Sequence, residues 1–166
     1  SDTLYFRSPT TTDDDRRMLE RMAVYAEIEP EEYANEMFKA GTSVKGKSIS
    51  ELLNMDVKEF TIIDESVRIA QIFTLDKESV LELKSEILTE MKKIREANGN
   101  DTFVFVVTDI FAESSIVFVC GEYGVEIAGE FGEKIEDSEF FAPGLLSRKK
   151  QMVPKVTDAI KKAKEN

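Results

Sequence analysis

The sequence has 166 residues, 42% hydrophobic and 33% charged, enough to bury one core with a small satellite and too strongly patterned for a disordered tail. Its net charge of −11 speaks against general nucleic-acid binding, which needs surplus Lys and Arg, and its longest apolar runs, 103–107 and 116–120, fall short of the roughly 20 residues that span a bilayer. With no secretion signal at its start and a single cysteine, Cys120, the chain reads as soluble and cytoplasmic, without membrane or nucleic-acid partners or an internal disulfide, and Cys120 reads as a buried thiol.

Along the chain, Thr10-Thr11-Thr12 offers hydroxyl caps and Asp13-Asp14-Asp15 an acidic first turn, followed by Met18, Leu19, Met22, Ala23 and Ala26 at helical spacing. A helix over about 13–27 is predicted. Pro30 with Glu31 and Glu32 starts a second helix carrying Tyr33, Met37 and Phe38, which stops at Gly41. The segment Thr42 to Lys47 has little to bury and is flanked by glycines, which makes it the linker candidate. Ser48 and Glu51 form the pattern of a capped short helix. Runs 58–63 and 67–75 are β-rich and read as a hairpin turning at Asp64-Glu65-Ser66.

Asp76 is placed to cap one long helix with apolar positions Val80, Leu83, Ile87, Met91 and Ile94, closed by Asn98-Gly99. Strands 103–109 and 115–120 are so continuously apolar that they belong in the buried middle of a sheet. A helix near 125–131, a weak strand near 139–142 and a final helix after Pro154 complete the pattern. The fold expected is α/β: a mixed sheet of about five strands flanked by helices and preceded by two short helices.

The chain contains no histidine, which removes serine and cysteine triads, histidine bases and ordinary zinc sites together. Gly121, Gly124, Gly129 and Gly132 form neither a Walker loop nor a dinucleotide fingerprint. What stands out is charge. From Arg148 onward seven basic residues face two acidic ones, a balance of +5 against −16 upstream. Ser147-Arg148-Lys149-Lys150-Gln151 crowds three cations; a solvated loop is one reading, and a site for a small polyphosphate is the other, since Arg grips phosphate with two parallel bonds and Lys adds a point charge.

Ser147-Arg148-Lys149-Lys150-Gln151 followed by Val153-Pro154 resembles the terminal signature of the family II inorganic pyrophosphatases of the DHH superfamily. The opening Ser1-Asp2-Thr3-Leu4 and Phe6-Arg7-Ser8-Pro9-Thr10 is similar to the end of that family's DHH domain. Lys39-Ala40-Gly41, 56–60, Ile69-Ala70-Gln71 and 107–110 follow in the same order. The resemblance implies residues 1–41 as the tail of the DHH domain, 42–47 as a hinge and 48–166 as a DHHA2 substrate-binding domain. It implies a metal ligand at Asp2, effective only in the intact parent, and substrate contacts at Lys58, Arg148 and Lys149. The Asp-His-His motif is absent, so the chain is expected to be a fragment, inactive alone, whose parent hydrolyses diphosphate with Mn²⁺, or Mg²⁺ or Co²⁺ in its place. No metal is expected on the fragment. Its expected partners are pyrophosphate or phosphate and the missing N-terminal DHH domain, and it is expected to be monomeric. The rival readings are a related phosphoesterase or exopolyphosphatase, and a non-catalytic anion-binding or interaction module. Without the resemblance, Lys58 reads as a charge guarding an edge strand.

Overall fold

The structure, a computed structural model, describes residues 4–41, 44 and 46–165, with only the backbone of 39–41. Asp2, and Thr42, Ser43 and Lys45 of the expected hinge, lie outside the described residues. The elements are α1 (Asp13–Ala26), α2 (Pro30–Gly41), α3 (Ile49–Asn54), β1 (Val57–Ile62), β2 (Glu65–Thr74), α4 (Lys77–Leu81), α5 (Lys84–Asn98), β3 (Thr102–Asp109), β4 (Ser114–Gly121), α6 (Gly124–Glu130), β5 (Glu139–Pro143) and α7 (Val153–Glu165). One sheet in the order β1-β2-β3-β4-β5 is antiparallel except for the parallel β2–β3 pair. That pair needs a crossover, which α4 and α5 supply.

The mixed five-stranded sheet is the one the sequence implies, and side-chain alternation along each strand decides which layer covers which face. Val67 and Ile69, Val104 and Val106, and Val117 and Val119 point to one side, where Ile127, Met152, Val156 and Ile160 cover them. Ala70 and Ile72, Phe103, Phe105 and Phe118 point to the other, against Leu53, Val80, Ile87 and Met91. A third, smaller cluster sits at one end of the sheet, where Leu4, Ala34 and Phe38 meet Ile110, Leu146 and Phe73. It carries the N-terminal helices across the C-terminal ends of β2 and β3. No helix of the described residues is long and apolar enough to cross a membrane.

Three local expectations change. The predicted long helix after Asp76 divides into α4 and α5, because Asp76 caps only the first turn through the Ser79 amide and the chain turns at Glu82-Leu83. The hairpin turns at Ile63-Asp64, since Ile62 pairs with Glu65 and Phe60 with Val67, a register that keeps Phe60, Ile62, Val67 and Ile69 on one face. Cys120 is half-buried, with burial pushing its thiol pKa up against the opposing pull of Arg95.

Candidate functional site

A cavity of about 720 Å³ opens at the C-terminal ends of β2 and β3, and Lys58, Arg148 and Lys149 all line it. Ligands in open α/β sheets gather at this end of the strands, because the loops that follow the strands form a crevice there. The rest of the wall is mixed: Met55, Phe60 and Phe73 are apolar, while Ser8 and Thr10 contribute hydroxyls from the N-terminal segment. Ser8 is buried, and its hydroxyl lies 2.7 Å from that of Thr10.

Lys58 is the second residue of β1, an edge strand, and shares parity with Phe60 and Ile62, so it leaves the sheet on the face covered by α7. It is exposed, and its ammonium group makes no hydrogen bond or ion pair among the described residues. Arg148 and Lys149 come from far along the chain, in a π-helical turn, Arg148–Met152, that runs directly into α7. π-Turns are rare and concentrate at functional sites. Here the turn is held from both sides. The Ser147 hydroxyl accepts from the Lys150 amide at 3.2 Å, and the Gln151 side-chain oxygen accepts from the amides of Leu146 and Ser147 at 2.9 and 2.8 Å. The Gln151 side-chain amide in turn donates to the Gly144 carbonyl at 2.8 Å.

A buried polar row ties this turn to the sheet. Gln71, Thr108 and Ser115 lie on the same face of three neighbouring strands. Gln71 Nε2 donates to Thr108 Oγ1 at 2.9 Å and to the Leu146 carbonyl at 3.3 Å, and Gln71 Oε1 accepts from the Arg148 amide at 3.2 Å. The Thr108 and Ser115 hydroxyls are 2.8 Å apart, and Ser115 donates to the Leu145 carbonyl at 2.6 Å. The sequence places Gln71 and Thr108 in stretches that carry the family resemblance and Ser115 at the start of an apolar strand, but assigns none of them a role.

Arg148 is not a free cation. Its Nη1 donates to the carbonyls of Asp56 at 2.7 Å and Ile69 at 3.4 Å, and its Nη2 pairs with Asp56 Oδ1 at 2.8 Å. The side chain is only 10% exposed. A guanidinium carries five N–H donors. Nε–H and one Nη2–H therefore stay open among the described residues. Lys149 is exposed and, like Lys58, has no partner among them. Lys150, by contrast, donates to the Pro9 carbonyl at 3.0 Å and so fastens the turn to the N-terminal segment. The site thus gathers two uncommitted ammonium groups and a pinned guanidinium edge, opposed by one carboxylate, Asp56. Such a balance of charge suits an anion. Among the described residues no group of three or more Cys, Asp or Glu could hold a metal ion.

The sequence profile of the DHHA2 domain matches residues 35–159. Over 161 residues the chain is 44% identical to a probable manganese-dependent inorganic pyrophosphatase of Clostridium acetobutylicum, covering 96% of this chain and 52% of that protein. A cobalt-dependent inorganic pyrophosphatase of Clostridium perfringens is 49% identical over 161 residues, which are 96% of this chain and 29% of the relative. The crystal structure of a Methanococcus jannaschii protein assigned to the family II inorganic pyrophosphatases superposes with a TM-score of 0.85 at 35% identity, covering 95% of this chain and 51% of that one. The chain spans about half the length of most of the curated relatives it matches, and it belongs to the DHHA2 domain family.

Proposed function

We propose that this chain is the pyrophosphate-gripping C-terminal part of a metal-dependent inorganic pyrophosphatase, in which Lys58, Arg148 and Lys149 bind the phosphates. The observation that carries the reading is convergence: residues about 90 positions apart in sequence line one cavity, and all three are cations. Cleaving a phosphoanhydride spreads negative charge over the phosphoryl and leaving oxygens, and fixed cations lower that barrier. Lys58 and Lys149 supply mobile point charges from two sides. Arg148 supplies a fixed edge with Nε–H and one Nη2–H, placed to hold two oxygens of one phosphate.

The names of the relatives specify manganese and cobalt. The described residues of this chain do not make such a centre by themselves, for histidine is missing from the sequence and they gather no acidic cluster, while Asp2, the ligand that the resemblance implies in the intact parent, lies outside them. The part played in hydrolysis by Lys58, Arg148 and Lys149 is electrostatic. The same reading takes residues 1–41 as the end of a preceding DHH domain, 42–47 as the hinge and 48–166 as the substrate-binding domain. Exposed Met18, Met22, Val24, Tyr25 and Tyr33 on α1 and α2 support it, since so many apolar side chains close together suit packing against another domain.

Calorimetric titration of the 166-residue chain with imidodiphosphate, a pyrophosphate that resists hydrolysis, tests the reading. Binding is expected, with a loss of at least tenfold in affinity for Arg148→Ala and for Lys149→Ala. Unchanged affinity in both variants, or no binding by the unaltered chain, refutes the assignment. Tighter binding of a longer polyphosphate than of imidodiphosphate redirects it to an exopolyphosphatase.

A further inference from the structure

The ion pair inside the cavity distinguishes two kinds of partner for Arg148. Its Nη1 is fixed by the main-chain carbonyls of Asp56, which precedes β1 and also accepts the Gln71 amide, and of Ile69 in β2, and neither moves away without disturbing the edge of the sheet. Its Nη2, in contrast, meets a carboxylate at the rim: the Asp56 side chain is 53% exposed, against 10% for Arg148, and Arg148 is its partner among the described residues. Asp56 also lines the cavity beside Lys58 and Lys149. Three cations facing one cavity repel each other, and an internal carboxylate relieves that repulsion while the cavity holds only water.

We propose that Asp56 is a stand-in anion: its carboxylate pairs with one Nη2–H of Arg148 in the empty site, next to the open Nε–H and second Nη2–H, competes with the incoming phosphate for the charge of that guanidinium, and thereby sets how readily the bound anion leaves. The proposal rests on the assignment of Arg148 to phosphate binding. It makes Asp56 a positioning residue that acts through Arg148. The anchoring of Nη1 by backbone carbonyls keeps the guanidinium in place after the carboxylate yields, so the competition costs the site no order. A purely structural Asp56 has the opposite signature, because removing a structural pair loosens the turn and weakens binding.

Asp56→Asn keeps the size and one acceptor oxygen while removing the charge. Imidodiphosphate affinity is measured by calorimetry for the unaltered chain, Asp56→Asn, Arg148→Gln and the double variant, with far-ultraviolet circular dichroism checking that each is folded. Asp56→Asn is expected to bind about fivefold to tenfold more tightly, the effect of one charge a few ångströms away in a partly solvated site. In the Arg148→Gln background the gain is expected to fall below twofold, which a structural role does not produce. Asp56→Ser, lacking both carboxylate and amide, is expected to change affinity in the same direction as Asp56→Asn. If Asp56→Asn binds equally or less well while Arg148→Gln still weakens binding, the stand-in role is overturned and the phosphate assignment survives. If Arg148→Gln leaves affinity unchanged, both fall.

Discussion

Replacing Gln71 by Leu tests the buried row beneath the cationic turn. Gln71 is 4% exposed and makes three hydrogen bonds, to Thr108, to the Leu146 carbonyl and from the Arg148 amide. Leucine is of similar size, so the site neither collapses nor overfills. Thr108 retains its bond with Ser115, but the Leu146 carbonyl and the Arg148 amide each lose a partner in a place that water reaches poorly. An unsatisfied buried polar group costs about 1–3 kcal/mol, and the added apolar side chain offsets part of that. A loss of about 2–4 kcal/mol is expected in urea unfolding followed by circular dichroism, together with weaker imidodiphosphate binding as the turn loosens. Gln71→Glu, which keeps the acceptor for Arg148 but loses the donor to Leu146, is expected to be at least as damaging. A loss under about 0.5 kcal/mol, with binding unchanged, refutes the claim that this row holds the turn.

Two further outcomes follow from the surface and the lone thiol. Burial holds the Cys120 thiol above its ordinary pKa, so less of it is thiolate at pH 8 than in an unfolded chain; iodoacetamide, followed by mass spectrometry, is expected to modify it more slowly in the folded protein, with the rate climbing as pH rises further and recovering in urea. Equal rates in both states would contradict the assigned burial. Met22→Ser and Tyr25→Ser, at exposed positions of α1, are expected to shift stability by less than about 0.5 kcal/mol, yet to weaken association with a separately produced N-terminal half of a related pyrophosphatase in a pull-down assay.

How much of this was legible in the sequence varied with the kind of signal. The strands 103–109 and 115–120 stood out because both of their faces are covered, so no polar alternation interrupts them. α1 was legible from Thr12 and Asp15, which form the capping box found there; the Thr12 hydroxyl holds the Asp15 carboxyl below its usual pKa. The break between α4 and α5 was hidden because Val80, Leu83, Ile87 and Met91 keep helical spacing straight through it. Arg148 and Lys149 were visible as a crowded charge run and as a family resemblance. The partnership of Arg148 with Asp56 spans 92 residues and depends on how β1 meets β2, which no local pattern encodes. Gln71 was invisible as a support for the same reason: its role exists only once the chain after β5 folds back over the sheet.

One residue of β2 acts as a common datum for both halves of the grip. Ile69 faces Lys58 across the β1–β2 pair, and its carbonyl receives Nη1 of Arg148. The gap between an ammonium rooted on an edge strand and a guanidinium rooted 90 positions later is consequently gauged by a single stretch of backbone. Fraying of β1 would carry Lys58 away and leave Arg148 seated, whereas a slip of β2 by one position would turn both supports to the wrong side at once.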